Sequence, residues 1–348
     1  MEILAQIRYE RGDQIGVGQG MNSTVFLATD PQLQGPIAVK EIPKSRLGNS
    51  VKRYFEEARV MFASAHPNVV RIQYACQTST EVCLAMPYYP AGSLASRICD
   101  GPLSLREIVR VGDGILSGLA QVHLKGFLHL DVKPTNILFN SNGSPLLADF
   151  GQAREVRENG AVHVPEMYMH AWPPEVVTRG VATVESDLFQ AGLLLYRAAN
   201  GDPWYQRQIP LPNELARKIV KGKFPDRSLF MPHVPGRLKR VIRKALRIDP
   251  TERYSSATEM ARALGRVEFT LDWTTSALPN GGTEWRAARR DQPDLVVQLH
   301  HDGGTLRVEA HTVRGGNRRA KRPHDFCRQF SRPRDAFEHL STVFGELS

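Results

Sequence analysis

The sequence predicts an α+β protein whose strands and helices are segregated along the chain. Three observations carry this. The first 85 residues read mainly as strands around one helix. From Leu103 onward, apolar residues recur every three or four positions. After Leu264 the spacing changes to two, and the chain closes on one more helix.

Taken in order, Asp13 to Gly20 and Ser23 to Ala28 alternate around glycines, and Gly35-Pro36 is expected to turn the chain before a strand from Ile37 to Ile42. A helix from about Val51 to Ala63 follows. An apolar strand then ends at Met86 and runs into an extended Pro-Tyr-Tyr-Pro-Ala-Gly segment. Ile108, Val111, Ile115, Leu119 and Val122 mark the buried stripe of a long helix. Leu146, Leu147 and Ala148 make a short buried strand that delivers Asp149. Arg237 to Arg247 reads as one helix with Leu238, Val241, Ile242, Ala245 and Leu246 inward, so its charge is mostly a solvated face. At the end, Val267, Phe269, Leu271 and Trp273 are spaced as one face of a strand. Turn signals at 279–282, 302–304 and 315–317 then separate TEWRAARR, DLVVQLH and TLRVEAHTV. The expectation is an antiparallel meander of four or five strands with one helix across it. That helix runs from Arg334 to Leu347 with Phe337, Leu340, Phe344 and Leu347 on one face, capped by Ser331.

Composition bounds the class. The 348 residues suffice for two or three domains, and the apolar and charged fractions are those of a globular chain. No run of 18 apolar residues occurs, and MEILAQIRYERGD lacks the basic-then-apolar order of a leader, so a soluble, cytoplasmic protein without membrane partners is expected. Cys76, Cys83, Cys99 and Cys327 show no metal-type pairing and are expected to be reduced thiols. The net charge of +9 is concentrated in Arg237 to Arg247 and in Arg314 to Arg334. The second segment holds eight Lys/Arg against one acid, Asp325. It suits nucleic acid or another anion, but equally a charged hairpin or a docking face, and no RNA-binding fingerprint accompanies it.

The chemistry is concentrated in HLDVKPTNILF, residues 129 to 139, and in DFG at 149 to 151. Asp131 can orient a hydroxyl nucleophile, Lys133 can steady developing phosphate charge, and Asn136 and Asp149 offer hard oxygen ligands to Mg²⁺. That set suits phosphoryl transfer. Upstream, Gly18, Gly20 and Val25 stand in the order G-x-G-x-x-x-x-V with Ser23 in a third glycine's place, and Lys40 ends the apolar IAVK strand. Such glycines let backbone amides approach a polyphosphate.

The order H-x-D-x-K-x-x-N then D-F-G, with the glycine loop, IAVK, HPN at 66–68, PPE at 173–175, Asp187 and DPTERY, resembles eukaryotic-type serine/threonine protein kinases of bacterial style over about residues 9–266. The resemblance implies a bilobal protein kinase fold, with a β-rich N-lobe at about 9–86 and a helical C-lobe at about 90–266. Residues 267–348 would be a small accessory or regulatory domain. It implies ATP and Mg²⁺ as cofactors and Ser/Thr-bearing protein substrates. Val17, Gly18, Gln19, Gly20 and Ser23 would cover the phosphates. Lys40, paired with Glu57 rather than the adjacent Glu56, would hold the α/β-phosphates. Adenine would lie between Val25, Ala38 and Leu138, with Met86 as gatekeeper, or simply a core methionine. The Pro87 carbonyl and the Tyr89 amide would bond its edge. Asp131 would take the hydroxyl proton and Lys133 the γ-phosphate, while Asn136 and Asp149 would hold the metal. Met61, Ile72, Phe150 and His129 would form the apolar stack linking the lobes. Asp187 would cap the catalytic loop, and Glu175 would pair with Arg253.

Two departures belong together. Leu130 stands where regulated kinases carry an arginine, and between Gly151 and Pro173 there is no serine or threonine, only Tyr168. Control by phosphorylation of that segment is therefore not expected. Tyr168 also falls near the place of a threonine that usually contacts Asp131 and Lys133. An ATP-binding scaffold that only docks a partner through its C-terminal domain is the alternative. A small-molecule phosphotransferase is weakened by Glu175, Asp187 and Arg253.

Overall fold

The computed structural model describes residues 7–16, 23–32, 34–47, 55–157, 160–164, 172–279, 281–320 and 323–347. The first layer is an antiparallel sheet of β1 (Glu10–Ile15), β2 (Thr24–Asp30), β3 (Gly35–Pro43), β4 (Tyr74–Gln77) and β5 (Glu81–Pro87), in the order β1-β2-β3-β5-β4. Gly35 and Pro36 do not turn the chain, as their sequence suggested. They pair with Asp30 and Thr29 inside β3, and the turn falls earlier, where Gln34 takes a φ of +52°. Proline is tolerated because it stands at the strand's start. The strand expected over Asp13 to Gly20 begins and ends earlier, at Glu10–Ile15, and residues 17–20 lie outside the described ones.

Side chains alternate across these strands and give the sheet two faces. Ile37 and Val39 join Ala28, Cys83 and Ala85 on one. On the other, Ile42, Val82 and Leu84 pack against Ala58 of α1 (Glu56–Ala63). Lys40 shares this second face, because it stands two residues from Ile42 and opposite Leu84. The helix expected from Val51 is described from Glu56 onward.

Below the sheet, α2 (Leu94–Ile98) leads to α3 (Leu105–Leu124), which starts with a capping box between Ser104 and Glu107. The apolar stripe read from the sequence is the one buried. Three glycines on α3 let neighbours approach closely: a Cβ on Gly118 would stand 2.8 Å from the Asn68 carbonyl oxygen. The loops above α3 carry β6 (Phe127–Leu128), β7 (Ile137–Phe139), β8 (Pro145–Leu147), β9 (Arg154–Glu155), β10 (Val162–His163), α4 (Pro174–Arg179) and β11 (Val181–Ala182). These strands pair two by two, as β6 with β9, β7 with β8 and β10 with β11. The lobe is completed by α5 (Val184–Asn200), α6 (Asp202–Gln206), α7 (Pro212–Val220), α8 (Gly236–Ala245) and α9 (Ala257–Gly265). Leu238, Val241, Ile242, Ala245 and Leu246 are buried as the α8 spacing predicted. None of the described helices is long and apolar enough to cross a membrane, and all four cysteines are free.

The C-terminal part forms a sheet of β12 (Trp273–Ala277), β13 (Thr283–Ala287), β14 (Asp294–Asp302), β15 (Thr305–Arg314) and β16 (Asn317–Ala320) in consecutive order. A short helix α10 (Pro323–Phe326) precedes β17 (Arg328–Phe330), which pairs β15 beyond the end of β16, and α11 (Pro333–Leu347) lies last. Two expectations are corrected here. Val267 to Asp272 is not strand: β12 starts at Trp273, and the period-two apolar residues before it pack against the core shared by the helical lobe and this sheet. Ser331 is not the helix cap, because α11 begins with Pro333 directly after Arg332. The apolar core runs unbroken from the helical lobe into this sheet. At the joint, Trp285 Nε1 donates 3.0 Å to His233 Nδ1, Phe337 lies 5.7 Å from Trp204, and Asp272 and Glu268 bond Arg106 and Arg237.

Candidate active site

Two clusters of polar side chains meet where the sheet lobe faces the helical one. The first is built on Lys40. Its strand register sets Val25 and Leu84 directly opposite and puts Ala38, with its opposite Met86, on the same face. Lys40 is only 7 % exposed, yet its ammonium makes bonds of 2.7 and 2.9 Å to the two Glu57 oxygens and of 2.6 Å to Asp149 Oδ1. Burial would lower the lysine pKa, but Asp149 and then Glu57 outweigh it, and the ammonium is held above its ordinary value. Glu57 faces this point and is buried, whereas the adjacent Glu56 is exposed, as the one-residue rotation of a helix requires.

Asp149 takes a φ of +58°, which aims its carboxylate back toward Lys40. Burial would raise this carboxyl, but the Lys40 charge and hydrogen bond, with Lys133 and His129 behind them, bring it down to about 2. Gly151 leaves room beside it: a Cβ there would sit 3.3 Å from Asp149 Oδ1, tight enough to press on the carboxylate, and 3.5 Å from Lys40 Nζ.

The second cluster lies on the loop after β6. Lys133 Nζ donates to Asp131 Oδ2 at 2.8 Å, and Asn136 Nδ2 donates to the same oxygen at 2.8 Å and to the Asp131 carbonyl at 2.9 Å. The Asn136 amide nitrogen is thereby used up, and its oxygen, which accepts only a long 3.4 Å bond from the Thr135 hydroxyl, is the end left for a cation. Lys40 and the Gly151 N–H both engage Oδ1 of Asp149, so Oδ2 is left. An amide oxygen and an ionised carboxylate are a hard-oxygen pair that fits Mg²⁺.

The loop's shape comes from residues outside these two clusters. Asp187, fully buried, accepts the His129 and Leu130 amides at 2.8 Å each and His123 Nε2 at 2.8 Å. Gln190, one turn further along α5, accepts the Val132 amide at 2.9 Å and donates to the Leu130 carbonyl at 3.1 Å. His129 stacks edge-on to Phe150 at 4.7 Å, and both, with Met61, are buried while Ile72 packs beside them. Arg253 grips both Glu175 oxygens at 2.8 and 2.7 Å and three carbonyls besides. Sequence reading missed His123 and Gln190. Gln190 could have been found by its spacing of three from Asp187, which puts both on one face of α5.

The remaining predicted positions are distributed as follows. Ser23 precedes β2, Pro87 ends β5, and half-buried Tyr89 follows in the connection between lobes. Leu138 rises from the helical lobe on β7. Val17, Gly18, Gln19, Gly20 and Tyr168 lie outside the described residues.

The protein kinase domain family matches residues 9–264. Among curated relatives, the chain is 28 % identical over 253 residues to the serine/threonine-protein kinase PrkC of Bacillus subtilis, covering 70 % of this chain and 38 % of that one. It is 28 % identical over 297 residues to the serine/threonine-protein kinase PknK of Mycobacterium tuberculosis, covering 83 % and 26 %. The serine/threonine-protein kinase STE20 of Candida glabrata is 28 % identical over 254 residues, covering 71 % and 27 %. The chain thus spans well under half the length of these relatives. A family match over most of the chain, on a two-lobed frame with this cleft, has one meaning: the chain belongs to the protein kinase domain family.

Proposed function

We propose that this chain is an ATP- and Mg²⁺-dependent kinase that transfers the γ-phosphate to serine or threonine hydroxyls of proteins. The observation that carries the proposal is the joining of Lys40, Glu57 and Asp149 by bonds of 2.6 to 2.9 Å across the two lobes, beside the Asp131–Lys133–Asn136 cluster. In this reading Glu57 aims Lys40 at the α- and β-phosphates. Asp131 orients the acceptor hydroxyl and takes its proton, and Lys133 neutralises charge on the transferring group. Asn136 and Asp149 would hold Mg²⁺, whose contribution when bound is to neutralise the polyphosphate. Val25, Ala38, Met86 and Leu138 would enclose adenine, and the Pro87 carbonyl and Tyr89 amide would read its edge. The printed names of the relatives support the serine/threonine class, as does the lysine in Asp131-Val132-Lys133. We also propose that kinase domain 9–266 and accessory unit 267–348 work as one body, and that no phosphate on the segment after Gly151 is needed for activity.

The test is transfer from labelled ATP with Mg²⁺ to the protein itself and to generic protein, beside Asp131→Asn and Asp149→Asn. Wild type should exceed each variant by about 10²-fold or more. Equal, background-level transfer in all three would remove the kinase assignment and leave an ATP-binding scaffold.

A further inference from the structure

Leu130 stands between His129, which packs on Phe150, and Asp131. Its backbone is fixed from both sides, with its N–H on Asp187 and its carbonyl on Gln190, and it takes a φ of +64°. That conformation is unfavourable for a branched side chain and persists only where surroundings over-determine it. The side chain is turned into an apolar cluster that draws on three separate stretches. Leu128 comes from β6, Val156, Val162, Val164 and Trp172 from the segment after DFG, and Val176, Ala182 and Val184 from the stretch that follows. Val162, Val164 and Val176 are at most 8 % exposed, and Leu128 and Ala182 are sealed. The backbone reinforces the side chains. Val162 and His163 pair with Ala182 and Val181, and the Val164 amide donates to the Gly180 carbonyl at 2.8 Å.

From this geometry we infer that Leu130 is a positioning residue: through the cluster built on Val162 and Val164 it clasps the stretch around them, which follows DFG, against the catalytic loop by apolar packing, a task for which a phosphate and an arginine are the charged alternative. The inference rests on the kinase reading and adds to it the physical means by which an unphosphorylated segment stays docked next to Asp131. The surroundings are what suit leucine here. An arginine at this half-buried position would lay its stem among valines with no described carboxylate in the cluster, so its guanidinium would either stay unpaired or turn away to water, and neither makes the apolar contact. The clasp also joins the loop that holds Asp131 to the stretch that leads into α4, so loosening it would misplace the acceptor substrate more than ATP.

Full-length wild type, Leu130→Met, Leu130→Arg and Val164→Ala are compared in two measurements that do not depend on each other. In steady-state phosphorylation of a protein substrate, Leu130→Met should stay within about twofold of wild type. Leu130→Arg should lose about tenfold or more in kcat/KM for the protein substrate while KM for ATP moves less than about twofold. In limited proteolysis, cleavage between residues 151 and 172 should accelerate by about tenfold in Leu130→Arg and by less in Val164→Ala. Val164→Ala carries the test if Leu130→Arg does not fold. The clasp is overturned if Leu130→Arg is cleaved and turns over like wild type, or if loss of activity is shared equally between ATP and protein substrate. Should wild type transfer no phosphate at all, the kinase reading falls, and the cleavage rates still decide the clasp.

Discussion

A lysine buried as deeply as Lys40 would shed its proton if it stood alone. It keeps the proton because two carboxylates face it, Glu57 from α1 and Asp149 from the other lobe. The pH sign follows from the direction of its shift. Its folded pKa lies above the ordinary 10.5, so its contribution to stability is complete below that value and is lost only as pH rises through the raised one. Removing the ammonium leaves the burial of its partners unopposed. In Lys40→Met, the buried Glu57 carboxyl, which burial already pushes above its ordinary value, would lose the charge that opposes that push. A raised acid pKa stabilises at low pH and loses that stability as pH rises. We expect this variant to be destabilised at pH 8 by about 3 kcal/mol and to recover part of the loss near pH 5. Thermal unfolding across that range measures it, and a pH-independent loss would contradict the account.

At the scale of elements, the joint between the helical lobe and the C-terminal sheet includes one neutral histidine. Trp285 Nε1 can only donate, so His233 Nδ1 must accept and the ring is the Nε2–H tautomer. Burial, with Lys239 behind it, pushes His233 down to about 3. A base with a depressed folded pKa binds a proton in the unfolded chain first, so this site is at full strength above about 6.5 and weakens as pH falls from there toward 3. Melting temperature should drop on acidification through this window, and His233→Phe should flatten that part of the profile. An unchanged slope in the variant would show that other groups set acid stability. The same sheet accounts for much of the basic ribbon. Arg318 and Arg319 lie on β16, at the end of the strand order, and charge on an edge strand discourages pairing with another chain.

At the scale of the whole molecule, the helical lobe and the C-terminal sheet share one apolar core, while the N-terminal sheet carries separate clusters on its two faces. Trp273 and Trp285 from the sheet and Phe344 from α11 pack against each other with ring centroids 4.9 and 5.5 Å from Phe344, and His233 of the helical lobe lies 6.0 Å away. A chain cut after Arg266 would leave the helical-lobe side of this joint, with Trp204, Met231 and His233, facing water. It should melt lower by about 10 °C or more, or aggregate. Calorimetry and light scattering decide this, and a cut chain that is monodisperse and melts like the full one would make the joint a passive contact.

The sequence by itself determined what local chemistry and periodicity determine. The 3.6-residue stripes of α3 and α8 told which side is buried, since burial of that face is what makes such helices stable. The order from Lys40 to DFG pointed to the chemistry proposed for the cleft, since few residue types can bind polyphosphate and metal together. The tertiary structure alone decided the rest. Val267, Phe269 and Leu271 have strand spacing, but they find burial against the core shared by the helical lobe and the sheet without a ladder, so packing overrode period. The mistaken turn at Gly35-Pro36 has a similar cause, because β2 continued to Asp30 and took both residues into its ladder. Leu130 could be seen in the sequence only as a missing arginine. The core residues of its cluster that follow DFG, Val162 and Val164, are 32 and 34 residues away, and what a side chain packs against at such separation is set by where the intervening chain returns, which no local pattern records.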